Sequence, residues 1–378
     1  HTRYISVTGV QTCALPISGA EMGQGINATL AQIMAEELPI NWASLKTISA
    51  PYGAQYGRGS SRSQTTGGSN NIRGWFNLML QAGAPARELL LTAARQTFPS
   101  ATPPLRAVAG FVQDANGVPL ASYGDLAPLA ATITLPTAAP VLSTPTTRKV
   151  IGQSVQRPDI KLKVNGRAVY GIDARVPGMV YAAIRHCPTI GGTVASVGAA
   201  PTGSQLVNLG NAIAATGPNT WAAINNVRAA SVSWTLPTST ALNAVDSAAL
   251  ESAAKTLMNS TTPSIAENTG DTVTALAGAA KKLTLTYSLP LLAHACMEVM
   301  DCTVAITKDA GGIVTGCEIW APTQAPDGLA KTAAPLLGLD PTLAADMAKI
   351  KVNTTYMGGG LDRKSTRLNS SHTDISRM

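Results

Sequence analysis

The chain has 378 residues, 45% of them hydrophobic and 13% charged, with 34 glycines and 24 prolines. That balance excludes a disordered or coiled-coil chain and leaves room for two or three domains with sizeable cores. No uninterrupted apolar run is long enough for a membrane-spanning helix, and the net charge of +7 asks where the charges sit.

Many sit at the ends. Residues 1–17 and 362–378 are polar stretches with neither helical nor strand periodicity, and codons can be chosen that make them reverse complements along their whole length. This relation resembles a sequencing adapter translated on both sides of an insert, so residues 1–18 and 362–378 are expected to be adapter-derived and outside the native fold. The two ends hold five basic and two acidic residues, and without them the charge falls to +4, too little to point to nucleic acid. Cys13, His1 and His372 also belong to the ends. Cys187, Cys296, Cys302 and Cys317 remain, with His186 and His294, a supply that fits neither a zinc hydrolase, a histidine triad nor a disulfide scaffold.

Between the ends, GAEMGQGINATLAQIMAEEL carries Ile26, Leu30, Ile33, Met34 and Leu38 at helical spacing, which predicts a helix just after Gly23-Gln24-Gly25. Glycines at a helix start admit an anion to the free N-terminal amides, though a plain tight turn fits the same pattern. SSRSQTTGGSNNIRGW, residues 60–75, sets hydroxyls and glycines before a second amphipathic helix with Ile72, Phe76 and Met79. It reads equally as an oxyanion cradle or as a loop capped by Thr66 or Ser69. FVQDANGVPLASYGDLAPLAA predicts a strand, an Asn-Gly turn, a second strand and a helix started by Ser122 and Asp125, and TLPTAAPVLSTPTT reads as a linker.

From Lys149 the pattern changes to short strands. KVNGRAVYGIDARVPGMVYAAIRH has apolar segments on both sides of an Arg-Val-Pro-Gly turn, followed by a strand over 206–215, a helix from Pro218 with Trp221, Ile224 and Val227, and a strand ending at Trp234. SAALESAAKTLM reads as a helix within a Ser/Thr/Ala-rich connection. KKLTLTYSLPLLAHACMEVMDCTVAI then alternates, with Leu283, Leu285 and Tyr287 on one face, and a turn at 309–312 joins it to IVTGCEIW as antiparallel sheet.

EMGQG with its helix, TGGS, KVNGRAVYGIDARVPGMVYA, LAHACMEVMDC, EIWAPTQAP and the closing GGG, in this order, resemble the large molybdenum-binding subunit of the xanthine oxidase family, of the isoquinoline 1-oxidoreductase beta-subunit type. The resemblance covers 19–361 and implies an α+β chain: molybdopterin-binding pieces flanking a strand-rich, α/β-hammerhead-like domain. The expected domains are a molybdopterin-binding segment at 19–147, the hammerhead-like domain at 148–235, a connection at 236–279, and the start of a further molybdopterin-binding domain at 280–361.

The resemblance also implies a cofactor, molybdopterin with molybdenum, as the cytosine dinucleotide in this branch. Gly23, Gln24 and Gly25 would lie along the pterin. Thr66, Gly67, Gly68 and Ser69 would hold its phosphates or pterin. Gln324 would donate to an oxo ligand on molybdenum, and Gly358, Gly359 and Gly360 would admit backbone close to the metal centre. The metal would be held by the cofactor's dithiolene, so His294, Cys296, Met297, Glu298 and Cys302 read as a structural wall. Val299 and Asp301 stand where the family carries Pro and commonly Asn.

The implied reaction hydroxylates an aldehyde or N-heteroaromatic substrate with water as oxygen source. No cysteine spacing here suits an iron-sulfur cluster, so the implied partner is a separate 2Fe-2S subunit, with a cytochrome c as a further acceptor. The family's catalytic glutamate belongs to a later Gly-Glu motif, and Leu361 is explained by a Phe codon interrupted at an adapter junction. The chain is therefore expected to be an inactive fragment. Many members of the branch carry an export leader, which favours the periplasm, with the cytoplasm as the alternative. Two other readings are a non-catalytic scaffold or electron-transfer relative and an unrelated extracellular binding module.

Overall fold

The computed structural model describes residues 6–8, 12–60, 62–135, 139–189, 191–237, 246–260, 264–265, 267, 269–289 and 296–359. The chain is α+β, and its described residues divide into two compact units, one up to Met179 together with 296–359, the other from Val180 to 289.

In the first unit, β1 (Ser6–Thr8) pairs antiparallel with β2 (Thr12–Ile17). The chain then enters α1 (Ile26–Glu37) and returns in β3 (Lys46–Ser49), which lies parallel to β2. Residues 12–17, expected outside the fold, thus form a strand whose Leu15 and Ile17 are buried. Ladder pairing uses only backbone groups, and a short Leu-Pro-Ile run supplies enough apolar surface to fill the slot. The predicted face of α1 is buried throughout.

The second helix, α2 (Asn70–Thr97), packs along α1. Trp75 and Met79 are its largest fully buried side chains, and Ile72, expected on that face, is exposed. With the helix starting at Asn70, positions 71, 75 and 79 share the buried stripe at i, i+4 spacing. Beyond it, β4 (Arg106–Val108), β5 (Phe111–Gln113) and β6 (Pro119–Ser122) form the predicted meander around the Asn116-Gly117 turn. Ser122 and Asp125 make the predicted capping box at the start of α3 (Tyr123–Ala130).

The predicted linker is not a free tether. Outside 136–138, which are not among the described residues, it forms a strap fastened to α1. Glu37 accepts the Ser143 amide at 2.6 Å, and Glu36 accepts the amides of Lys149, Val150 and Ile151 at 2.8 Å each. Burial pushes the Glu36 carboxyl up, but these amides and Arg148 outweigh it and hold it below its ordinary value. Leu142 and Ile151 pack on the α1–α2 core, and the Trp42 indole donates to Gln156 O at 2.7 Å. The strap runs into a short helix, α4 (Ile160–Val164). The strap and α4 belong to the first unit, which continues to Met179. Of the two apolar segments beside the Arg-Val-Pro-Gly turn, the first forms a single bridge, Tyr170 to Tyr356.

The second unit contains β7 (Tyr181–His186), β8 (Thr193–Val197), β9 (Leu206–Asn208), β10 (Ala212–Gly217), α5 (Thr220–Ala229) and β11 (Val232–Thr235). The strand expected over 206–215 is broken by a turn at Gly210, and its halves pair antiparallel in a sheet of order β7-β10-β9. Ile213, Ala215, Val227 and Ala230 form its core, whereas Trp221 faces solvent. The connection holds α6 (Ser247–Met258), as predicted, and α7 (Thr272–Gly278). The alternating segment at 280–289 forms no strand, and Leu283, Leu285 and Tyr287 are exposed. Alternation favours a strand only where a neighbour completes the ladder, and no described residue pairs with this one.

Back in the first unit, β12 (Thr303–Lys308) and β13 (Val314–Ala321) form the predicted hairpin. The chain then runs through α8 (Pro326–Leu336) and α9 (Ala344–Met347) to β14 (Ile350–Thr354), which lies parallel to β13, so the sheet is mixed rather than antiparallel. This crossover puts Gln324 just past the C-terminal end of β13, where ligands of parallel strands commonly sit.

Candidate functional site

Three segments distant in sequence meet in one cleft of the first unit. It has a volume of about 320 Å³ and is lined by Met22 and Gln24 from the first glycine loop, Thr66 to Ile72 from the second, and Gln324. The joint is reciprocal: the Thr66 amide donates to Gln324 O at 2.7 Å, and Gln324 Nε2 donates to Thr66 O at 2.8 Å. Thr66 Oγ1, rather than facing a ligand, accepts from the Ala20 amide at 2.8 Å and from Asn71 Nδ2 at 3.0 Å, which fastens the two loops together.

The first loop satisfies itself. Gly23 and Gly25 take positive φ of 103° and 82°, which turns their amides inward. Both donate to Glu21 Oε1, at 2.9 and 3.1 Å, and the Asn27 amide donates to Glu21 Oε2 at 3.1 Å. The N-terminus of α1, which reads in the sequence as an anion site or as a plain tight turn, is capped by a carboxylate of the chain itself. Gln24 folds back as well, donating to Ala20 O at 2.8 Å and accepting from the Met22 amide at 2.7 Å. Beneath the loop, Arg157 bridges Glu21 at 3.0 Å and Asp159 at 2.7 Å and donates to Gly23 O at 3.0 Å. Lys163 reaches Asp159 at 2.6 Å and lies over the Tyr356 ring. Burial pushes the Asp159 carboxyl up, but hydrogen bonds from Arg157 and Lys163 outweigh it and hold it below its ordinary value. Burial, then the charges of Asp159 and Glu21, push the Tyr356 phenol up.

The second loop is open. Gly68 and Ser69 have φ of 59° and 54°, and Ser69, at the N-cap of α2, makes no side-chain cap; nor does Thr66. The first amides of α2 have no intrahelical acceptor, which suits an anionic group in the cleft. Gln324 is 5% exposed and its Oε1 has no hydrogen-bond partner. Gln324, expected to donate to an oxo ligand, instead donates from Nε2 to Thr66 O; its buried Oε1 lacks a donor, which is costly, and a bound heterocycle carrying N–H groups would satisfy it.

Gly358 and Gly359 lie elsewhere. Glu298 Oε2 accepts the Gly358 amide at 2.6 Å, Glu298 Oε1 accepts the Gly171 amide at 2.8 Å, and the Glu298 amide donates to Gly358 O at 3.1 Å. A Cβ on Gly358 would stand 2.4 Å from Glu298 Cβ, so this glycine is needed for a protein–protein approach. Glu298 acts as a clasp, whereas Met297 and Cys302 of the same segment are exposed. His294 and Gly360 lie outside the described residues. Among the described residues no cluster of His, Cys, Asp or Glu could hold a metal ion.

Sequence reading missed Glu21, Arg157 and Asp159. Glu21 had a signal: an acid just before a glycine turn that leads into a helix is placed to accept the turn's amides. Arg157 and Asp159 had none, because their loop partner lies more than a hundred positions away.

A molybdopterin cofactor-binding domain matches residues 257–371. The isoquinoline 1-oxidoreductase subunit beta of Brevundimonas diminuta is 28% identical over 211 residues, covering 45% of this chain and 26% of that protein. A membrane-bound aldehyde dehydrogenase (pyrroloquinoline-quinone) of Gluconacetobacter polyoxogenes is 31% identical over 175 residues, covering 45% of this chain and 22% of that protein. Among solved structures, quinoline 2-oxidoreductase from Pseudomonas putida 86 aligns with a TM-score of 0.37 and 15% identity, over 56% of this chain and 31% of that one. The chain spans about a quarter of the length of the curated relatives it matches. The domain match and the two sequence relatives make the chain similar to the molybdenum-binding subunits of the xanthine oxidase family.

Proposed function

We propose that the chain supplies the cofactor-holding portion of a molybdenum hydroxylase subunit that oxidises an aldehyde or an N-heteroaromatic ring with water as oxygen source. The observation that carries this reading is the cleft in which both glycine loops meet Gln324, whose buried Oε1 awaits a donor. The residues fit a molybdopterin carrying a phosphate, as its cytosine dinucleotide form does. Gln324 would accept from the heterocycle, and Gly67, Gly68 and Ser69 with the first turn of α2 would hold the anionic end. The bound group supplies the two-electron redox chemistry, and the protein supplies position and polarity.

Within that scheme Thr66 and Gln324 brace one another, so the amide is held in one orientation before any ligand arrives. The electrons would leave through a separate 2Fe-2S subunit and then a cytochrome c.

Expression alongside a molybdenum-cofactor pathway tests the reading. Purified chain should retain molybdenum, measured by mass spectrometry, and pterin, measured by fluorescence after oxidation. Gly68→Val, which puts a β-branched residue at φ 59° beside the cleft, should retain neither. Metal and pterin no higher than in an unrelated control protein would overturn the proposal.

A further inference from the structure

We infer that Glu21 is the positioning residue of the cofactor cleft: its carboxylate fixes the 22–25 loop in its ligand-ready shape, and Arg157 fixes the carboxylate. The inference rests on the proposed function for the identity of the ligand, but its physical content concerns the chain's own atoms. Four successive features lead to it. The loop is short, and its two glycines adopt a left-handed backbone that turns amides away from the cleft. Those amides, with that of Asn27, converge on one buried carboxylate. Arg157 completes the cage from below, binding Glu21 and Gly23 O together. Finally, the Met357 amide donates to Glu21 O at 3.3 Å, so the same residue also ties the loop to the strand end after β14.

A neutral side chain of the same shape could not replace this arrangement. The carboxylate has acceptors only, and it meets three backbone donors and an arginine. An amide would turn an N–H against one of those donors. The loop would then lose its one conformation, and with it the outward placement of Met22 and Gln24 on the cleft wall. Asp159 provides a comparison, because it shares Arg157 and Lys163 with Glu21 while the amides of Gly23, Gly25 and Asn27 go to Glu21.

The experiment compares wild type, Glu21→Gln, Arg157→Lys and Asp159→Asn, each as the full chain. Amide hydrogen exchange of the cofactor-free chain should show Gly23, Gly25 and Asn27 exchanging about 10- to 100-fold faster in Glu21→Gln, as expected for lost charge-assisted hydrogen bonds. The amides of α2 should keep their wild-type protection, which verifies folding. Arg157→Lys should give a smaller acceleration, and Asp159→Asn should leave the three amides near the wild-type rate. In cells supplying the cofactor, Glu21→Gln should retain about 10- to 100-fold less pterin than wild type, with Asp159→Asn near wild type. Unchanged exchange at the three amides in Glu21→Gln, or pterin loss no greater than in Asp159→Asn, would overturn the inference. Wild type that binds no pterin would overturn the proposed ligand, while the exchange rates still decide whether Glu21 sets the loop.

Discussion

The two glycine loops of the cleft look alike in sequence and differ in physics. In the loop at 22–25 each amide turned inward already has an acceptor, supplied by Glu21 from within the same five-residue motif. In the loop at 66–69 the N-cap position offers no side-chain cap, and a serine sits in a left-handed conformation that favours glycine. One loop is therefore closed on a carboxylate of its own, and the other lines the cleft without a side-chain cap. Glycines before a helix do not by themselves mark an anion site; what matters is whether the chain has already supplied the anion.

The sharpest way to break this contrast is Glu21→Ala. It leaves three backbone donors without their acceptor and removes one partner of Arg157, in a side-chain site only 2% exposed, and should cost about 3 kcal/mol in urea unfolding. A loss within experimental error of zero would mean that the first loop is not internally held.

Acid should act on the same network more gently. Asp159 is held below its ordinary value in the folded chain, so its contribution is present above the unfolded carboxyl value and is lost as pH falls through the folded one. Stability should decline below about pH 4, and Asp159→Asn should flatten that part of the curve. An equally steep acid limb in the variant would assign the decline to other carboxylates.

The smallest expected effect sharpens the open side of the comparison. Ser69→Gly relieves a left-handed serine at φ 54° but adds backbone freedom to the unfolded chain. The cofactor-free chain should gain about 0.5 kcal/mol, read as a slightly higher melting temperature. A loss instead would show that the Ser69 hydroxyl holds the second loop.

Local regularities were legible in the sequence. The inward face of α1, the capping box at Ser122 and Asp125, the hairpin across residues 309–312 and the glycine turns all follow from spacing that a few residues carry on their own. The convergence of Gln24, Thr66 to Ser69 and Gln324 on one cleft was reached through resemblance, since spacing alone left each loop with a plain structural reading. What stayed hidden was relational. Arg157 and Asp159 matter because of a loop far away in the chain, β14 joins its sheet in parallel through a crossover, and Gly358 faces Glu298 rather than the cleft. The segment at 280–289 teaches the converse: its alternation is strong, yet without a neighbour to complete its ladder it forms no strand.

The strap over α1 carries its own consequence. Glu36 and Glu37 grip it through the backbone amides of Ser143, Lys149, Val150 and Ile151, groups that every residue but proline possesses. The instructions for holding the strap are therefore written in the helix and not in the strap. Drift among relatives should concentrate in the strap's own letters, barring proline at those four positions, while the two glutamates of the helix stay constant, and the path that delivers Arg157 beneath the first loop would survive almost any rewording of the stretch that leads to it.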